Sequence, residues 1–486
     1  MTDSPDPKCG SLAAALPGKV YNQHQSEYDR LVNARWSETA VLHPACVVVP
    51  EHSKDVSAAL KALVRHGCKF AVKSGGHNAN PGANSISKGV SVDLSRLNLT
   101  SLAADRSHVK LGSGVTWGQA YDAFDGTGIG FPGGICEDVG VGGVSLGGGQ
   151  SLFQPKKGWA VDNIVNYEVV LASGEIVNAN ETHHTDLFRA LKGGNTNFGI
   201  VTRVDIAAFD YPGLWGGEVY VNLTGPEATG PVVLDRMSAT FVNFTRDNHL
   251  DTSTAVQLMT VYLSGGRGRI INAAFGNTEN KESPKALAPF FAMPNRIMNT
   301  ARHTSMAKFV HQVSKFQAKG FRQVTATLTF RNDYKTLRRI WDATDDIYNG
   351  LERKNEVDWM ISFIPQPKIQ QSYAAARGGN SLGLQDVAQD QIILWLTSRW
   401  TDPRLDNMME KARGELVETT SAIAKQDGSY HPFLYINYAA PFQQPLCGYG
   451  AASLANLRAV AKKYDPAQVF QKLMPGGFKL QRAACT

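Results

Sequence analysis

The sequence predicts an α+β protein with two or more domains, and the character of the first part of the chain returns at its end. Its 486 residues are enough to form more than one core. Short strands and helices are indicated over 40–212, long helices alternate with long strands over 213–428, and the earlier character returns over 429–486. The 46 glycines cluster in a few runs, which indicates functional loops rather than disorder in a chain of otherwise ordinary composition.

Composition and charge exclude several classes of function. The net charge of +6 is spread along the chain without a basic run interleaved with aromatic residues, so no nucleic-acid partner is expected. No apolar stretch reaches the length of about 18 residues that indicates a membrane span, so no membrane partner is expected either. Nothing in the sequence indicates the oligomeric state.

The first residues, Met1 to Lys8, contain no basic segment followed by an apolar one. A secretory signal is therefore not predicted, and a cytoplasmic location is expected. On that expectation the N-glycosylation sequons stay unused; they begin at Asn98, Asn180, Asn222 and Asn243.

The six cysteines are too few and too scattered to predict a disulfide framework. All except Cys136 are interpreted as buried or surface thiols, while a disulfide from Cys9 to Cys46 or to Cys68 stays open as an alternative. No CxxC or Cys/His spacing indicates a metal site, so no metal is predicted.

In the first domain, periodicity and turn residues predict alternating short elements. A β-branched run starts at Cys46, Ser53-Lys54-Asp55 is expected to cap a helix that reaches Arg65, and Thr116 is expected to begin another helix. The further predicted elements are strands at 70–73, 90–94 and 108–111, a hairpin over 167–177 and a short helix at 186–191.

The second domain is predicted to begin after Tyr211-Pro212-Gly213, where the pattern changes. Its long elements suit a sheet that is covered on one face by helices. The predicted helices are 226–247, 283–293, 333–352 and 403–425, and the predicted strands are 254–263, 322–331, 357–364 and 391–400. A helix over 452–464 is expected in the returning part of the first domain.

The most informative segment is 71–78, where a short apolar strand runs into Ser-Gly-Gly-His-Asn. Paired glycines permit positive φ and a close approach of the backbone to a ligand. Successive N–H groups in such a turn form a concavity that suits an anion such as a pyrophosphate. His77 would then be held against the bound molecule, although a lone histidine is more often structural.

A second glycine-rich run occupies 132–149 and contains Cys136. A cysteine is more often a small buried apolar residue, but within this run it is expected to face a ligand. The two runs together predict a nucleotide-containing cofactor that lies along bare backbone, with His77 and Cys136 near its reactive ring.

Other motifs in the glycine run are less well supported. Gly143-Val144-Ser145-Leu146-Gly147 matches the G-x-S-x-G pattern of serine hydrolases, but the flanking glycines are poor helix formers and that motif needs a helix after it. Neither the P-loop ending nor the Rossmann glycine spacing is present. His183-His184 are interpreted as the solvated start of a helix, and Tyr435 and Tyr438 could be core residues.

Four segments in this order resemble one known family. They are Ser-Gly-Gly-His at 74–77, Cys-Glu-Asp-Val-Gly-Val-Gly-Gly at 136–143, the segment 186–201 and Asn437-Tyr438. The chain is similar over nearly its whole length to the berberine-bridge-enzyme-like branch of the vanillyl-alcohol oxidase flavoproteins, and its end at 464–478 resembles the fungal members.

This resemblance implies a bipartite FAD-binding domain, 40–212 plus 429–486, and a substrate domain, 213–428, whose sheet roofs the flavin. It implies FAD joined covalently through His77 to the 8α-methyl group and through Cys136 to ring carbon C6. The cofactor-binding residues that it implies are Lys73, Ser74, Gly75, Gly76, His77, Asn78, Cys136, Val139, Gly140, Gly142, Gly143, Gly147, Gly148, Asp162, Gly199, Ile200, Val201, Asn437 and Tyr438.

Several catalytic assignments follow from the same resemblance. Val139 matches the position that admits or blocks dioxygen, and valine there resembles the oxidase form. Val144 stands where plant relatives have a histidine, and 365–371 has no carboxylate where they have a catalytic glutamate. Tyr435 or Tyr438 is the alternative base; weaker alternatives are Asp358 and Arg377.

The resemblance implies an FAD-dependent oxidase that acts on a small molecule, a biosynthetic intermediate of a natural product. Hydride would pass to flavin N5, and dioxygen would take the electrons and leave as hydrogen peroxide. The alternatives are a redox-neutral isomerase or cyclase, an oligosaccharide oxidase, a serine hydrolase using Ser145 and a non-catalytic flavin-binding protein, because a fold does not fix a reaction.

Overall fold

The computed structural model of the chain describes residues 7–224 and 230–485 and contains three sheets and a two-stranded ribbon. In the first sheet, β2 and β3 run parallel to β4 in the order β1-β2-β4-β3. Its strands are β1 (Val20–Asn22), β2 (Cys46–Val48), β3 (Phe70–Lys73) and β4 (Val90–Asp93).

The second sheet is antiparallel, and a ribbon lies outside it. The strands of the second sheet, in chain order, are β5 (Thr100–Leu102), β6 (His108–Gly112), β8 (Ile164–Val170), β9 (Ile176–Asn180) and β10 (Ile200–Ala207), and those of the ribbon are β7 (Ile129–Gly130) and β11 (Phe209–Asp210). The order in the sheet is β5-β6-β10-β8-β9.

The third sheet has nine strands and is antiparallel at every pairing. Its strands are β12 (Leu214–Asn222), β13 (Thr254–Leu263), β14 (Gly268–Asn277), β15 (Arg296–Asn299), β16 (Arg302–Thr304), β17 (Arg322–Arg331), β18 (Trp359–Gln366), β19 (Gln391–Trp400) and β20 (Tyr430–His431). The central order is β12-β14-β13-β18-β19-β17.

The helices in chain order are α1 (Pro7–Ala15), α2 (Ser26–Asn33), α3 (Ser53–Arg65), α4 (Trp117–Ala123), α5 (Val141–Gly147), α6 (Gln154–Lys157), α7 (Thr185–Gly194), α8 (Gly230–Asp247), α9 (Ala288–Phe291), α10 (Met306–Val313), α11 (Tyr334–Gly350), α12 (Asp406–Gln426), α13 (Ala451–Tyr464) and α14 (Val469–Lys472). Within 7–224 and 230–485, no helix combines the length and apolar character that crossing a membrane requires.

The two faces of the nine-stranded sheet pack differently, as strand alternation requires. One face forms a core with α8, α11 and α12, and it includes the fully buried Trp341, Trp359 and Phe363. The opposite face turns toward the first two sheets and carries many polar side chains. This alternation positions the site described below, because the polar face closes a cavity.

Many predicted elements are confirmed. The helix to Arg65 and the strands 254–263, 322–331 and 391–400 have the predicted bounds. Thr116 caps α4, as expected: its hydroxyl accepts a hydrogen bond from the Gln119 N–H, and its own N–H donates to the Gln119 Oε1. All the strands from β12 to β19 fall within 213–428, but the predicted domain boundaries themselves stay a prediction.

Other elements differ from the predictions. The glycine run that seemed unfit for a helix forms the short helix α5, which is packed against α7 and β10. The predicted helix 283–293 is reduced to single turns at 285–287 and 288–291. Strands β12 and β14 and helix α10 were not predicted, and residues 226–229 of the predicted helix 226–247 lie outside the described residues.

The cysteine prediction is wrong for four residues. Cys9 is joined to Cys46, which is one of the alternatives left open, and Cys447 is joined to Cys485. The partners are 37 and 38 residues apart in sequence, so proximity in the fold and not spacing brings them together. Cys68 and Cys136 are not in disulfides.

We expect each disulfide to contribute strongly to stability. Closing a loop of this length removes chain entropy from the unfolded state worth about 4 kcal/mol. Cys447→Ser should therefore have a lower melting temperature than the wild type. Added reductant should also lower the melting temperature of the wild type. The double variant Cys9→Ser/Cys447→Ser is the control and should not respond to reductant; an equal response would contradict the assignment.

Candidate functional site

A cavity lies between the glycine-rich loops and the polar face of the nine-stranded sheet. From the first side it is lined by 74–79, by the loop that contains Cys136 and Val139, by α5 and by 199–201. From the sheet it is lined by side chains of β12, β13, β14, β17 and β19, and from the C-terminal part of the chain by 435–438. The predicted roof of a flavin site by a sheet is thus present in the fold.

The loop after β3 has the form that the sequence predicts for an anion-binding turn. Lys73, the last residue of β3, is buried and pairs with Asp93 of β4 at 3.0 Å, which fixes the point where the loop begins. Gly76 has a φ of 76°, where a side chain would be strained. In the described part of the chain the N–H groups of Gly76 and His77 donate no hydrogen bond, so they are available to a ligand.

The two glycine-rich loops touch each other through Gly75 and Gly140. A Cβ added at Gly75 would lie 2.3 Å from the Gly140 nitrogen, and one at Gly140 would lie 2.3 Å from the Gly75 nitrogen. Neither position therefore accepts a side chain without moving backbone. The contact sets the spacing between the His77 loop and the Cys136 loop.

We expect Gly75→Ala to separate these loops and to weaken both folding and cofactor retention. The cost of such a backbone clash is about 1–3 kcal/mol. The variant should show a lower melting temperature and less flavin per protein in its absorbance spectrum. Gly414→Ala, on α12, is the control for folding because a Cβ there meets no atom within 4 Å and the residue does not line the cavity; an equal loss of melting temperature in both variants would contradict the argument.

His77 and Cys136 lie side by side in the cavity. The Cys136 Sγ is 3.8 Å from the His77 Nε2. The imidazole stacks on the buried Trp36 ring, with 4.2 Å between centroids and 14° between planes, so its orientation is fixed. Burial lowers the pKa of His77 to about 3, which leaves the ring neutral with a free nitrogen lone pair.

Burial also raises the pKa of the Cys136 thiol to about 11, so the sulfur is protonated at neutral pH. The His77 Nε2 beside it belongs to a neutral ring. The pair therefore places two uncharged nucleophiles next to each other, one of which must lose a proton before it can form a bond.

Tyr435 and Tyr438 use their hydroxyl groups differently. The Tyr435 oxygen accepts hydrogen bonds from the Gly149 N–H at 2.9 Å and from the Asn437 Nδ2 at 3.1 Å. Burial raises the pKa of Tyr435 to about 12, while these two donors act in the opposite direction. The Tyr438 hydroxyl makes no hydrogen bond to another residue of the described chain, and burial raises its pKa well above the ordinary value.

Tyr438 is held by its ring. It stacks on Trp395 of β19 with 4.2 Å between centroids and 9° between planes, and Tyr435 meets its edge at 4.6 Å. The C-terminal segment is thereby fixed against the sheet. The interpretation of both tyrosines as core residues fits Tyr435, which is 2% exposed, better than Tyr438, which is half-buried and lines the cavity.

Most of the predicted site residues come together at the cavity, but four do not line it: Lys73, Gly147, Gly148 and Asp162. Lys73 is engaged with Asp93. Asp162 is buried and accepts hydrogen bonds from the Trp159 N–H at 2.9 Å and from Asn380 at 2.7 Å, so its carboxylate holds a turn together.

The other predicted candidates lie elsewhere. Ser145 is buried inside α5 and does not line the cavity, which removes the geometry of a hydrolase nucleophile. His183 and His184 are exposed before α7, as predicted. Asp358 is paired with Arg399 at 2.8 Å, outside the lining.

The sequence argument missed the polar residues that the sheet contributes. Glu218, Gln257 and Asn272 line the cavity from three neighbouring strands. Polar residues alternate with apolar ones in β12 from Glu218 to Asn222, and this period of two could have identified a strand with one polar face. It could not have shown that the face meets the glycine-rich loops.

Comparison with known proteins agrees with this geometry. The profile of a family described as an FAD binding domain matches residues 44–180. An FAD-dependent monooxygenase from Aspergillus calidoustus, drtC, is 32% identical over 484 residues, which covers 98% of this chain and 90% of that protein. The chain belongs to the berberine-bridge-enzyme-like family of FAD-linked oxidoreductases.

Several proteins of known structure share the fold of this chain. Xylooligosaccharide oxidase from Myceliophthora thermophila C1 superposes with a TM-score of 0.78 at 20% identity, over 99% of this chain and 100% of that one. Glucooligosaccharide oxidase from Acremonium strictum, described with a 6-S-cysteinyl, 8α-N1-histidyl FAD, has a TM-score of 0.77 at 18% identity, over 96% and 98% of the two chains.

The residues of the cavity fit FAD. Gly143 leaves open space where a side chain would stand, and the unused N–H groups of Gly76 and His77 suit a phosphate or a ring carbonyl. A neutral imidazole and a thiol stand side by side, as two attachments on one edge of a flavin ring require. The donor set and the bare backbone therefore agree with the cofactor of this FAD-linked oxidoreductase family.

Proposed function

We propose that the protein is an FAD-dependent oxidase that acts on a small molecule, an intermediate of natural-product biosynthesis. The supporting observation is one cavity in which the His77–Cys136 pair and Tyr438 are opposed by a sheet face with several polar side chains. The bound flavin would supply the chemistry of accepting hydride and passing electrons to dioxygen with release of hydrogen peroxide.

His77 and Cys136 would hold the flavin covalently. The neutral imidazole has the lone pair that an attachment needs, and Trp36 keeps that ring in one plane. Cys136 is protonated at rest, so its attachment requires loss of the thiol proton. Each attachment would replace a hydrogen of the flavin, with release of a proton and transfer of two electrons to dioxygen, and neither attachment would depend on the other.

Tyr438 would take the proton that leaves the substrate with the hydride. Its hydroxyl is free of hydrogen bonds within the described chain and its ring is fixed on Trp395. Because burial raises the pKa of Tyr438, the residue would accept the proton only in its ionised form, so turnover should rise with pH. Tyr435 would position this segment, because its oxygen is occupied by Gly149 and Asn437. A general base must reach the proton that it takes, and of the two tyrosines only Tyr438 has an uncommitted oxygen.

Val139 would control access of dioxygen. It lines the cavity three residues after Cys136, and its carbonyl accepts a hydrogen bond from the Trp117 N–H at 2.9 Å, which fixes its position. A valine there leaves room for a small molecule. A longer side chain at the same point would fill that room.

Reoxidation kinetics test the oxidase assignment without a known substrate. The flavin-loaded protein is reduced photochemically without oxygen and then mixed with aerated buffer in a stopped-flow instrument. We expect fast recovery of flavin absorbance with one peroxide per flavin, and slower recovery in Val139→Leu. Slow recovery in the wild type, at the rate of Val139→Leu, would contradict an oxidase.

The alternatives give different outcomes in turnover assays. A redox-neutral isomerase or cyclase would form product without peroxide, and an oligosaccharide oxidase would release peroxide with oligosaccharides. Several relatives are named FAD-dependent monooxygenases. Incorporation of ¹⁸O from labelled dioxygen into the product would favour that activity over oxidase chemistry.

The cytoplasmic location expected from the sequence stays a prediction. Two disulfides are typical of proteins in oxidising compartments, which speaks against it. Cell fractionation together with a mobility shift after removal of N-glycans would decide, since Asn98 and Asn243 are exposed sequons. A cytosolic, unglycosylated protein with all cysteines reduced would support the expectation.

A further inference from the structure

One carboxylate lies in the wall of the cavity, on the sheet side. Glu218 is in the middle of β12. The next residue, Val219, points into the core between the nine-stranded sheet and the helices, so Glu218 points to the opposite face of the sheet. The residue is only 3% exposed, although it lines the cavity together with Asn272 of β14 and Phe316 beyond α10. Its remaining accessibility is therefore toward a ligand and not toward bulk solvent.

The charge of Glu218 has no counter-charge. No ion pair joins it to a lysine, arginine or histidine within 7–224 and 230–485. Among the described residues that line the cavity it is the one aspartate, glutamate, lysine or arginine. A buried carboxylate without a cation is costly unless hydrogen bonds or a bound cation compensate it.

Two amides compensate the carboxylate in part. The Asn272 Nδ2 donates to Oε1 at 2.9 Å and the Gln312 Nε2 donates to Oε2 at 2.7 Å. The Gln312 Oε1 accepts a hydrogen bond from Arg302 at 2.6 Å, which requires that the NH₂ group of the amide faces Glu218. Each carboxylate oxygen thus has one amide donor, and the carboxylate retains acceptor capacity because it has about four lone-pair sites.

The surroundings are those of an ionised acid. Both amide groups present donors, and a neutral carboxyl would need an acceptor for its proton. Burial and the neighbouring Glu218, to which its hydroxyl donates a hydrogen bond, raise the pKa of Tyr220, so this phenol stays protonated and is a further donor to the carboxylate. The cavity therefore has a negative spot on the wall that faces the flavin side.

We propose that Glu218 binds a protonated nitrogen of the substrate, so that the cavity selects amines over neutral and acidic molecules of the same shape. A cationic N–H donor would use the remaining acceptor capacity of the carboxylate and supply the missing counter-charge. This specificity rests on the proposed function, because the ligand shares the cavity with FAD.

Three benzyl-type probes of similar size and different charge test this specificity. Benzylammonium, benzyl alcohol and benzoate are titrated without oxygen into the flavin-loaded protein at pH 7 and constant ionic strength, and binding is followed by the change in flavin absorbance. We expect benzylammonium to bind most tightly and benzoate most weakly. Glu218→Gln should weaken benzylammonium by about 10- to 100-fold, the range of a charge-assisted hydrogen bond, and should leave benzyl alcohol unchanged.

Glu415→Gln is the matched control, since Glu415 is exposed on α12 far from the lining and the substitution is the same. It should keep the order of the wild type. An equal loss in both variants would overturn the proposal, and so would a wild type that binds benzoate or benzyl alcohol more tightly than benzylammonium, whether or not Glu218→Gln folds. A protein without bound flavin would instead refute the proposed function, so the two failures are distinguishable.

Discussion

Flavin should stay with the protein after acid denaturation in the wild type, in His77→Ala and in Cys136→Ala, and should be released only from the double variant. The reason is that each residue would form its own bond to the ring, and either bond alone survives unfolding. The measurement is the flavin absorbance of the washed acid precipitate against that of the supernatant. In the double variant, nearly all of the flavin absorbance should move from the precipitate to the supernatant.

The single variants should also differ from each other. His77→Ala removes the ring that stacks on Trp36 and leaves a space beside Cys136, so incorporation of flavin should be slower than in Cys136→Ala. Cys68→Ala is the control for loss of a buried thiol, because Cys68 lies in the core beneath α3 and does not line the cavity. Release of free FAD from the wild type would refute both attachments.

The glycine-rich half of the site could be predicted because it is local in sequence. The strand 70–73, the glycines that follow and His77 are consecutive, so the type of turn can be predicted from these residues. Cys136 and Gly140 stand in a second local run. The contact between the runs, in which Gly75 meets Gly140, required the fold, since no sequence pattern reports how two distant loops pack.

The sheet-borne half could not be predicted for the same reason. Glu218 and Asn272 are 54 residues apart and become neighbours only when β12 pairs with β14. The amide of Gln312 is 94 residues from Glu218. The disulfide of Cys447 and Cys485 was missed similarly, because spacing does not reveal pairing.

Tyr438→Phe should lower kcat by about 10²- to 10⁴-fold, the usual contribution of a general base. The ring that stacks on Trp395 stays in place, so the flavin spectrum, the melting temperature and the binding of a ligand should change little. With the reductive half-reaction followed in stopped flow, the loss should appear in the rate of flavin reduction and not in reoxidation.

Tyr435→Phe is the informative comparison, since it removes a hydroxyl from the same segment. Its loss leaves the buried Gly149 N–H without its acceptor, which costs about 1–3 kcal/mol, and removes one of the two acceptors of the half-buried Asn437 amide. This variant should therefore lose stability and flavin content while the bound fraction still turns over. Equal kcat values for Tyr438→Phe and the wild type, or the larger loss of flavin reduction in Tyr435→Phe, would transfer the proton-accepting role from Tyr438 to another residue. The Tyr438 hydroxyl has no hydrogen-bond partner in the described chain, so its removal should not change the melting temperature. An equal loss of stability in Tyr438→Phe and Tyr435→Phe would therefore mean that both hydroxyls serve only in packing.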